Sequence, residues 1–160
     1  MLRMDSKPSH FASLSCGALE EERSSTGGRV IRFKANATTL LVGDPVFFAA
    51  ADTVDKSGTT ANYIRFAGVV VGGNGTRYQV AHDSSMVGMT AALAGEDVLV
   101  QIDGIVWVVA NTAIAITDNI IMSTTSGKVT PGVTANQILG TPVTTAAVLN
   151  DKLKMLIDHR

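Results

Sequence analysis

Short apolar runs follow one another along residues 29–158, and each is bounded by residues that favour turns. The runs include RVIRFK, DPVFFAA, YIRFAGVVV, DVLVQID, GIVWVVA and KLKMLID, with Gly-Asp-Pro, Gly-Gly-Asn-Gly and Asp-Gly turn sequences among them. They are rich in β-branched and aromatic residues and recur at intervals of about ten residues, a spacing typical of β-barrels and β-sandwiches. The sequence therefore predicts an all-β fold, a small β-barrel or β-sandwich of short antiparallel strands.

Two segments depart from this strand pattern. SMVGMTAALAGE at 85–96 predicts one short helix, and residues 1–28 lack periodicity and end in a charged run, small polar residues and two glycines. We interpret 1–28 as an extended N-terminal arm and linker, and 29–160 as one β-barrel-like domain. Phe11, Leu14 and Leu19 are apolar residues that a purely solvating tail does not need. They predict an arm that becomes ordered on a partner, the alternative being an unstructured terminus.

A faint internal repeat lies within the predicted domain. When the chain is aligned with itself so that Asp44 falls on Asp118, GDPVFF lies over TDNIIM and TANYIRFAGVV over TANQILGTPVT, with Gly58 on Gly132 and no gap. The order of turn, strand, loop and strand is the same in both copies. We call this superposition the repeat alignment, and we interpret it as two similar β units packed together.

The stretch DVLVQIDGIVWVVA at 97–110 joins two apolar runs through an Asp-Gly pair. Asp-Gly predicts a two-residue hairpin, because a type I′ turn needs positive φ at both central residues. In that register one face is entirely apolar and is the predicted core: Val98, Val100, Ile102, Ile105, Trp107 and Val109. The other face carries an apolar strip of Leu99, Val106 and Val108, which we expect to meet another subunit or the arm.

Composition excludes several classes of function. Even the longest uninterrupted apolar runs, such as 105–110, are far shorter than the roughly 20 residues of a membrane helix. No apolar segment of a secretory signal follows the first residues, and a single cysteine cannot form an internal disulfide, so synthesis in the cytoplasm is expected. Residues 35–127 hold three Lys or Arg against eight Asp or Glu, and no basic face for nucleic acid is visible.

Catalytic and metal-binding patterns are weak. HDSS at 82–85 suggests a small hydrolase using Ser84 or Ser85 with His82, but adjacent residues rarely converge in the geometry of a triad, and a polar loop is the favoured interpretation. No G-x-S-x-G elbow, clustered Cys and His, or EF-hand loop occurs. We expect no catalytic residues, no cofactor and no metal.

The order of the turn and strand motifs resembles that of the small decoration, or cement, proteins of tailed-phage capsids. The matching motifs are Gly43-Asp44-Pro45-Val46, Gly68-Val69, Gly95-Glu96-Asp97-Val98 and Gly104-Ile105-Val106. The resemblance covers about residues 40–158, but the second Asp turn is Thr117-Asp118 rather than Gly-Asp, and the N-terminal region is longer than the family pattern.

The resemblance implies a compact β-barrel-like fold, frequent trimers and binding to the outer face of the major capsid protein lattice. The leading hypothesis is therefore a structural virion protein that stabilises the capsid from outside, with the arm residues Phe11, Leu14 and Leu19 and the strip of Leu99, Val106 and Val108 as interface. The alternative is a ligand- or carbohydrate-binding β module of a phage tail or spike. That alternative needs exposed aromatics, and it would be favoured if Trp107 were exposed beside Tyr63 or Tyr78.

Overall fold

The computed structural model describes residues 21–23, 28–56, 65–76, 84–123, 125, 127–133 and 138–158. This part of the chain is all-β, with a 3₁₀ turn at Asn74–Thr76. Its strands are β1 (Glu21–Arg23), β2 (Arg29–Ala35), β3 (Leu40–Leu41), β4 (Pro45–Ala50), β5 (Thr53–Asp55), β6 (Phe66–Gly73), β7 (Thr90–Ala92), β8 (Asp97–Gln101), β9 (Ile105–Val109), β10 (Asn119–Met122), β11 (Val129–Gly132), β12 (Ile138–Pro142) and β13 (Lys152–Ile157).

Five strands of the first half close into a barrel. The order is β2-β5-β4-β6-β8, and β8 returns to pair with β2. All of these pairings are antiparallel except that of β2 with β5, which is parallel. The short strand β1 pairs with the start of β2, where Glu21 is opposite Ile31 and Arg23 is opposite Arg29. The end of the predicted arm thus forms part of the first barrel's sheet.

The second half repeats this arrangement. Its sheet has the order β11-β10-β12-β13-β9, and Ala110, which directly follows β9, forms a parallel bridge to Val129 of β11. That bridge closes a second five-stranded ring. The other described pairings of this ring are antiparallel. The parallel bridge joins the end of β9 to β11, which correspond to β2 and β5, the parallel pair of the first barrel. The pair β3–β7 of the first barrel also has a counterpart, the antiparallel bridge between Ile114 and Ala146.

The interpretation of the repeat as two similar β units is therefore confirmed. The repeat alignment brings β4 onto β10, and both strands have a bulge after their second residue, at Val46 and at Ile120. Gly68 pairs with Val46 and Gly140 with Ile120. A Cβ on either glycine would overlap the backbone carbonyl oxygen of the next strand, so only glycine permits this close approach.

Two local predictions are wrong. The segment at 85–96 contains turns and strand β7 instead of a helix, because Gly88 and Gly95 have φ of +93° and +81° and Gly88 N–H bonds to Val42 O. The Asp-Gly hairpin is also absent, since β8 pairs with β2 and β6 whereas β9 pairs with β13. Gly104 has φ of +78°, but Asp103 does not have the positive φ that a type I′ turn requires.

Asp103 instead anchors the start of the first barrel. Its carboxylate accepts hydrogen bonds from Arg29 N at 2.7 Å and from Arg29 Nε at 2.8 Å. The chain then crosses at Gly104 into the second barrel, where Gly104 O accepts a bond from Ile157 N. One hydrophobic cluster runs through both barrels and contains, for example, Val30 and Ile120, each fully buried. The two units therefore share a core.

Candidate binding face on the second barrel

The strip predicted as an interface lies in the core. Leu99, Val106 and Val108 are 2%, 3% and 0% exposed, so no partner can reach them in the folded chain. The error follows from the missing hairpin: β9 presents Val106 and Val108 to the interior of its own barrel, and β8 is buried on both faces. The arm residues Phe11, Leu14 and Leu19 lie outside the described residues.

The opposite side of β9 is the exposed one. Its outward residues, Ile105, Trp107 and Val109, are partly exposed and alternate with the buried positions, as the two-residue period of a strand requires. These three residues were predicted to lie in the core, and that assignment is wrong for this strand.

Strand β13 completes this surface beside β9. Leu153 and Met155 point inward and are fully buried, so Lys152, Lys154 and Leu156 point outward. The antiparallel register sets Lys152 opposite Val109, Lys154 opposite Trp107 and Leu156 opposite Ile105. We call these six outward residues the β9–β13 face.

The β9–β13 face is both apolar and basic. Lys154 Nζ lies 5.3 Å from the centroid of the Trp107 ring, a cation–π contact worth about 0.5–1 kcal/mol at an exposed site. Leu156 is 45% exposed, a large fraction for a leucine in a strand. Lys152 Nζ donates to Ser84 O at 2.7 Å and so links this face to a loop of the first barrel. Such a surface suits a partner that offers apolar area together with carboxylates.

A buried ion pair lies where the two barrels meet. Asp44 is 5% exposed, and its Oδ2 accepts hydrogen bonds from Leu41 N at 2.9 Å and from Lys56 Nζ at 3.1 Å. Gly127 of the second barrel packs against Oδ1, since a Cβ there would lie 2.6 Å from it. Burial raises the pKa of Asp44 above its ordinary value, and the bonds from Leu41 and Lys56 oppose that shift only in part. The group's contacts are those of a structural carboxylate.

A second buried carboxylate, Asp55, is also occupied by structural bonds. It accepts from Asn36 Nδ2 at 3.2 Å, from the Thr38 hydroxyl, and from Lys56 N at 2.8 Å. These bonds tie the loop after β2 to the end of β5. Asp55 therefore fixes a loop, as Asp44 fixes the contact between barrels.

A shallow depression on the first barrel is lined by Arg32, Phe33, Lys34, Asp52 and Asp97. The Asp97 carboxylate lies 2.5 Å from Lys34 Nζ and 3.7 Å from Arg32 Nη1, so it contacts both cations. Pairs between such exposed side chains contribute little stability.

The HDSS segment is only partly within the described residues. His82 and Asp83 lie outside them, whereas Ser84 and Ser85 form a turn at the surface. Across the described ranges, no group of three or more His, Cys, Asp or Glu side chains is placed to hold a metal ion. Within the same ranges, no helix has the length and apolar character needed to cross a bilayer.

Comparison with known proteins gives no family assignment. No family model matches the chain, and no curated protein matches it in sequence. Among solved structures, the chain is similar to the N base of the head fiber protein gp8.5 of bacteriophage phi29, with a TM-score of 0.48 and 12% identity. That similarity covers 81% of this chain and 92% of the phi29 chain.

Proposed function

We propose that this protein is a structural protein of a tailed-phage virion that binds the outer surface of the major capsid protein lattice and stabilises the capsid. The observation that carries the proposal is the β9–β13 face, a partly exposed apolar and basic surface on the second barrel. The motif order that resembles decoration proteins supports the same function, and its Asp44 and Glu96 directly precede strands of the first barrel.

The chemistry of the face suits attachment to a protein surface. Ile105, Trp107 and Leu156 retain partial exposure, and covering a large apolar side chain stabilises a contact by about 1.5–3 kcal/mol at most. A stable interface needs on the order of 1,000 Å² of buried surface, more than six side chains supply. We therefore retain the arm, with Phe11, Leu14 and Leu19, as a second contributor to capsid binding.

Repetition of the contact compensates for its small area. In a homo-oligomer, with a trimer as the favoured form, each copy would present one β9–β13 face to an equivalent site on the lattice. Linked contacts raise the effective affinity without any new interaction, provided that the geometry allows them to bind together. The protein would be made in the host cytoplasm and would act on the outside of the capsid, with no catalytic role.

The second candidate function is a ligand- or carbohydrate-binding β module of a phage tail or spike. One observation favours it: Trp107 is partly exposed on the outer side of β9, where an aromatic ring can stack on a ligand. Tyr63 and Tyr78, the other aromatics considered for such a site, lie outside the described residues. The lysine over the Trp107 ring occupies the stacking surface, which is why we prefer the protein interface.

Co-sedimentation tests the proposed function. The full-length chain is mixed with empty, expanded capsids of the phage that encodes it, and bound protein is measured together with the temperature at which the capsids open. We expect saturable binding and a raised opening temperature. A double variant, Trp107→Ala with Lys154→Glu, should reduce the affinity at least tenfold.

Charge reversal at the exposed Arg65 of the first barrel, Arg65→Glu, is the matched control and should bind like the unmodified chain. A chain without residues 1–20 reports on the arm: undiminished binding would remove the arm from the proposal. If the double variant bound capsids as tightly as the unmodified chain, the β9–β13 face would be removed from the proposal. Absence of capsid binding, with retention on a glycan array that depends on Trp107, would favour the ligand-binding alternative.

A further inference from the structure

The two barrels differ at one equivalent turn. Val42 and Ile116 each lie two positions before the carboxylate that opens a strand, Asp44 or Asp118, and they correspond in the repeat alignment. Val42 is 2% exposed, whereas Ile116 is 56% exposed. The same position is therefore covered in the first barrel and open in the second.

The cover in the first barrel is a short segment of the chain itself. Val42 N donates to Met89 O at 2.9 Å, and Gly88 N donates to Val42 O at 2.8 Å. Val87 is 6% exposed, so its side chain is buried on the same structure. Gly88 has φ of +93°, a conformation that suits glycine and excludes β-branched residues. The covering segment is thus an apolar residue, a glycine and a second apolar residue.

The second barrel lacks the chain that would form such a cover. In the first barrel β6 ends at Gly73 and β7 begins at Thr90, so residues 74–89 are available to reach Val42. In the second barrel β12 ends at Pro142, and the equivalent bridge residue is Ala146, which leaves residues 143–145. Among the described residues, neither the N–H nor the carbonyl of Ile116 has a hydrogen bond. An exposed isoleucine beside two free backbone groups is a site for an added strand.

We propose that this turn is covered by the N-terminal segment Cys16-Gly17-Ala18 of a second copy of the chain. Of the residues that precede β1, this tripeptide reproduces the order of Val87-Gly88-Met89, with a glycine between two apolar residues. Gly17 N–H would donate to Ile116 O, and Ile116 N–H would donate to Ala18 O. Gly17 would take the positive φ that Gly88 has in the first barrel.

The segment and the open turn belong to different barrels, and the proposal places them in different copies of the chain. Glu21, three positions after Ala18, pairs with Ile31 of the first barrel, and a link of this length spans about 11 Å at most. The segment is thus tethered to the first barrel, whereas the open turn belongs to the second. A contact between the first barrel of one copy and the second barrel of another is head-to-tail. Such contacts form closed rings when the rotation between copies permits.

Hydrogen exchange of the Ile116 amide tests this proposal on the isolated full-length chain, without capsids, so the outcome is independent of the proposed function. At a concentration where the chain is assembled, we expect exchange at Ile116 at least tenfold slower than in a chain lacking residues 1–20. Protection should decrease on dilution, in parallel with dissociation measured by sedimentation velocity. The Val42 amide, covered within the chain, should remain protected throughout.

Gly17→Val is the specific variant, because valine rarely adopts positive φ, and Ser9→Val is the matched control in the same segment. Gly17→Val should lose both Ile116 protection and assembly, whereas Ser9→Val should keep both. Equal exchange at Ile116 in the full-length and truncated chains would overturn the proposal. Protection that persists in the monomer would overturn it as well, since the segment would then be acting within one chain.

Discussion

At the scale of single residues, four carboxylates form the same turn in four places. Each accepts a hydrogen bond from the backbone N–H three positions before it, at 2.7–3.0 Å, and its own N–H donates to that residue's carbonyl. The four pairs are Leu41 with Asp44, Leu93 with Glu96, Ala115 with Asp118, and Val148 with Asp151. Every one directly precedes a barrel strand, so the Gly-Asp and Gly-Glu motifs of the sequence are strand-initiating turns.

Removing one of these turn carboxylates should cost stability through a single hydrogen bond. We expect Asp118→Ala to lower the free energy of unfolding by about 1 kcal/mol, because the Ala115 N–H loses its acceptor. Asp118→Asn keeps an acceptor oxygen and should cost less than half as much. Urea unfolding monitored by circular dichroism measures both, and equal losses would contradict the assigned bond.

Asp44 should make stability depend on pH in the direction opposite to most carboxylates. Because its folded pKa is raised above the ordinary value of about 3.9, the folded state holds more protons than the unfolded state between those two values. Stability from this group is therefore greatest below the ordinary pKa and decreases as pH rises through the folded pKa. Relative to Asp44→Asn, the unmodified chain should lose unfolding free energy as pH increases from 4 towards neutrality. A difference that stays constant, or grows with pH, would contradict the assignment.

At the scale of elements, the two faces of β9 distinguish the structure from the hairpin that the sequence suggests. Val108 is fully buried, while its neighbour Val109 is partly exposed on the β9–β13 face. We expect Val108→Thr to lower the unfolding free energy by about 1–3 kcal/mol, since a hydroxyl of similar size enters the core. Val109→Thr is the matched control and should change it by less than about 0.5 kcal/mol. If thermal unfolding showed a larger loss of stability for Val109→Thr than for Val108→Thr, the result would contradict the structure and support the hairpin register.

The sequence predicts strands well because apolar runs and turn residues are local signals. Local sequence does not show which alternate residues of β9 point into the barrel, because both sets are apolar. The choice depends on pairing with β13, which is distant in sequence. In the structure β9 and β13 correspond to β2 and β8, which pair in the first barrel, but the repeat alignment does not superpose β13 on β8. The KLKMLI alternation of β13 gives the same answer, with its lysines outward.

The segment at 85–96 fails for a related reason. Its alanine, leucine and methionine favour a helix, but tertiary bonds to Val42 and burial of Ala91 and Ala92 fix it as a turn and a strand. The prediction from sequence also missed the β9–β13 face, because it assigned the outward residues of β9 to the core. Leu99, Val106 and Val108 looked unpartnered only because their cover, the interior of two barrels, is built from residues distant in sequence.

At the scale of the whole molecule, a duplicated barrel has been made asymmetric. Both units share strand order, a bulge and turn carboxylates, yet the second carries the exposed β9–β13 face and the open turn at Ile116. An exposed sheet surface and an uncovered turn on one unit suit a protein that joins neighbours: one contact would fix it to a lattice, and the other would link copies. Attachment to the lattice through the β9–β13 face is the central claim of the proposed function.

A cryo-electron microscopy reconstruction of capsids saturated with the protein tests that claim most directly. The proposed function predicts added density on the outer surface of the lattice, with Trp107 and Lys154 of the β9–β13 face directed at the major capsid protein. Capsids without added density would contradict it, as would copies attached through the first barrel with the β9–β13 face turned to solvent.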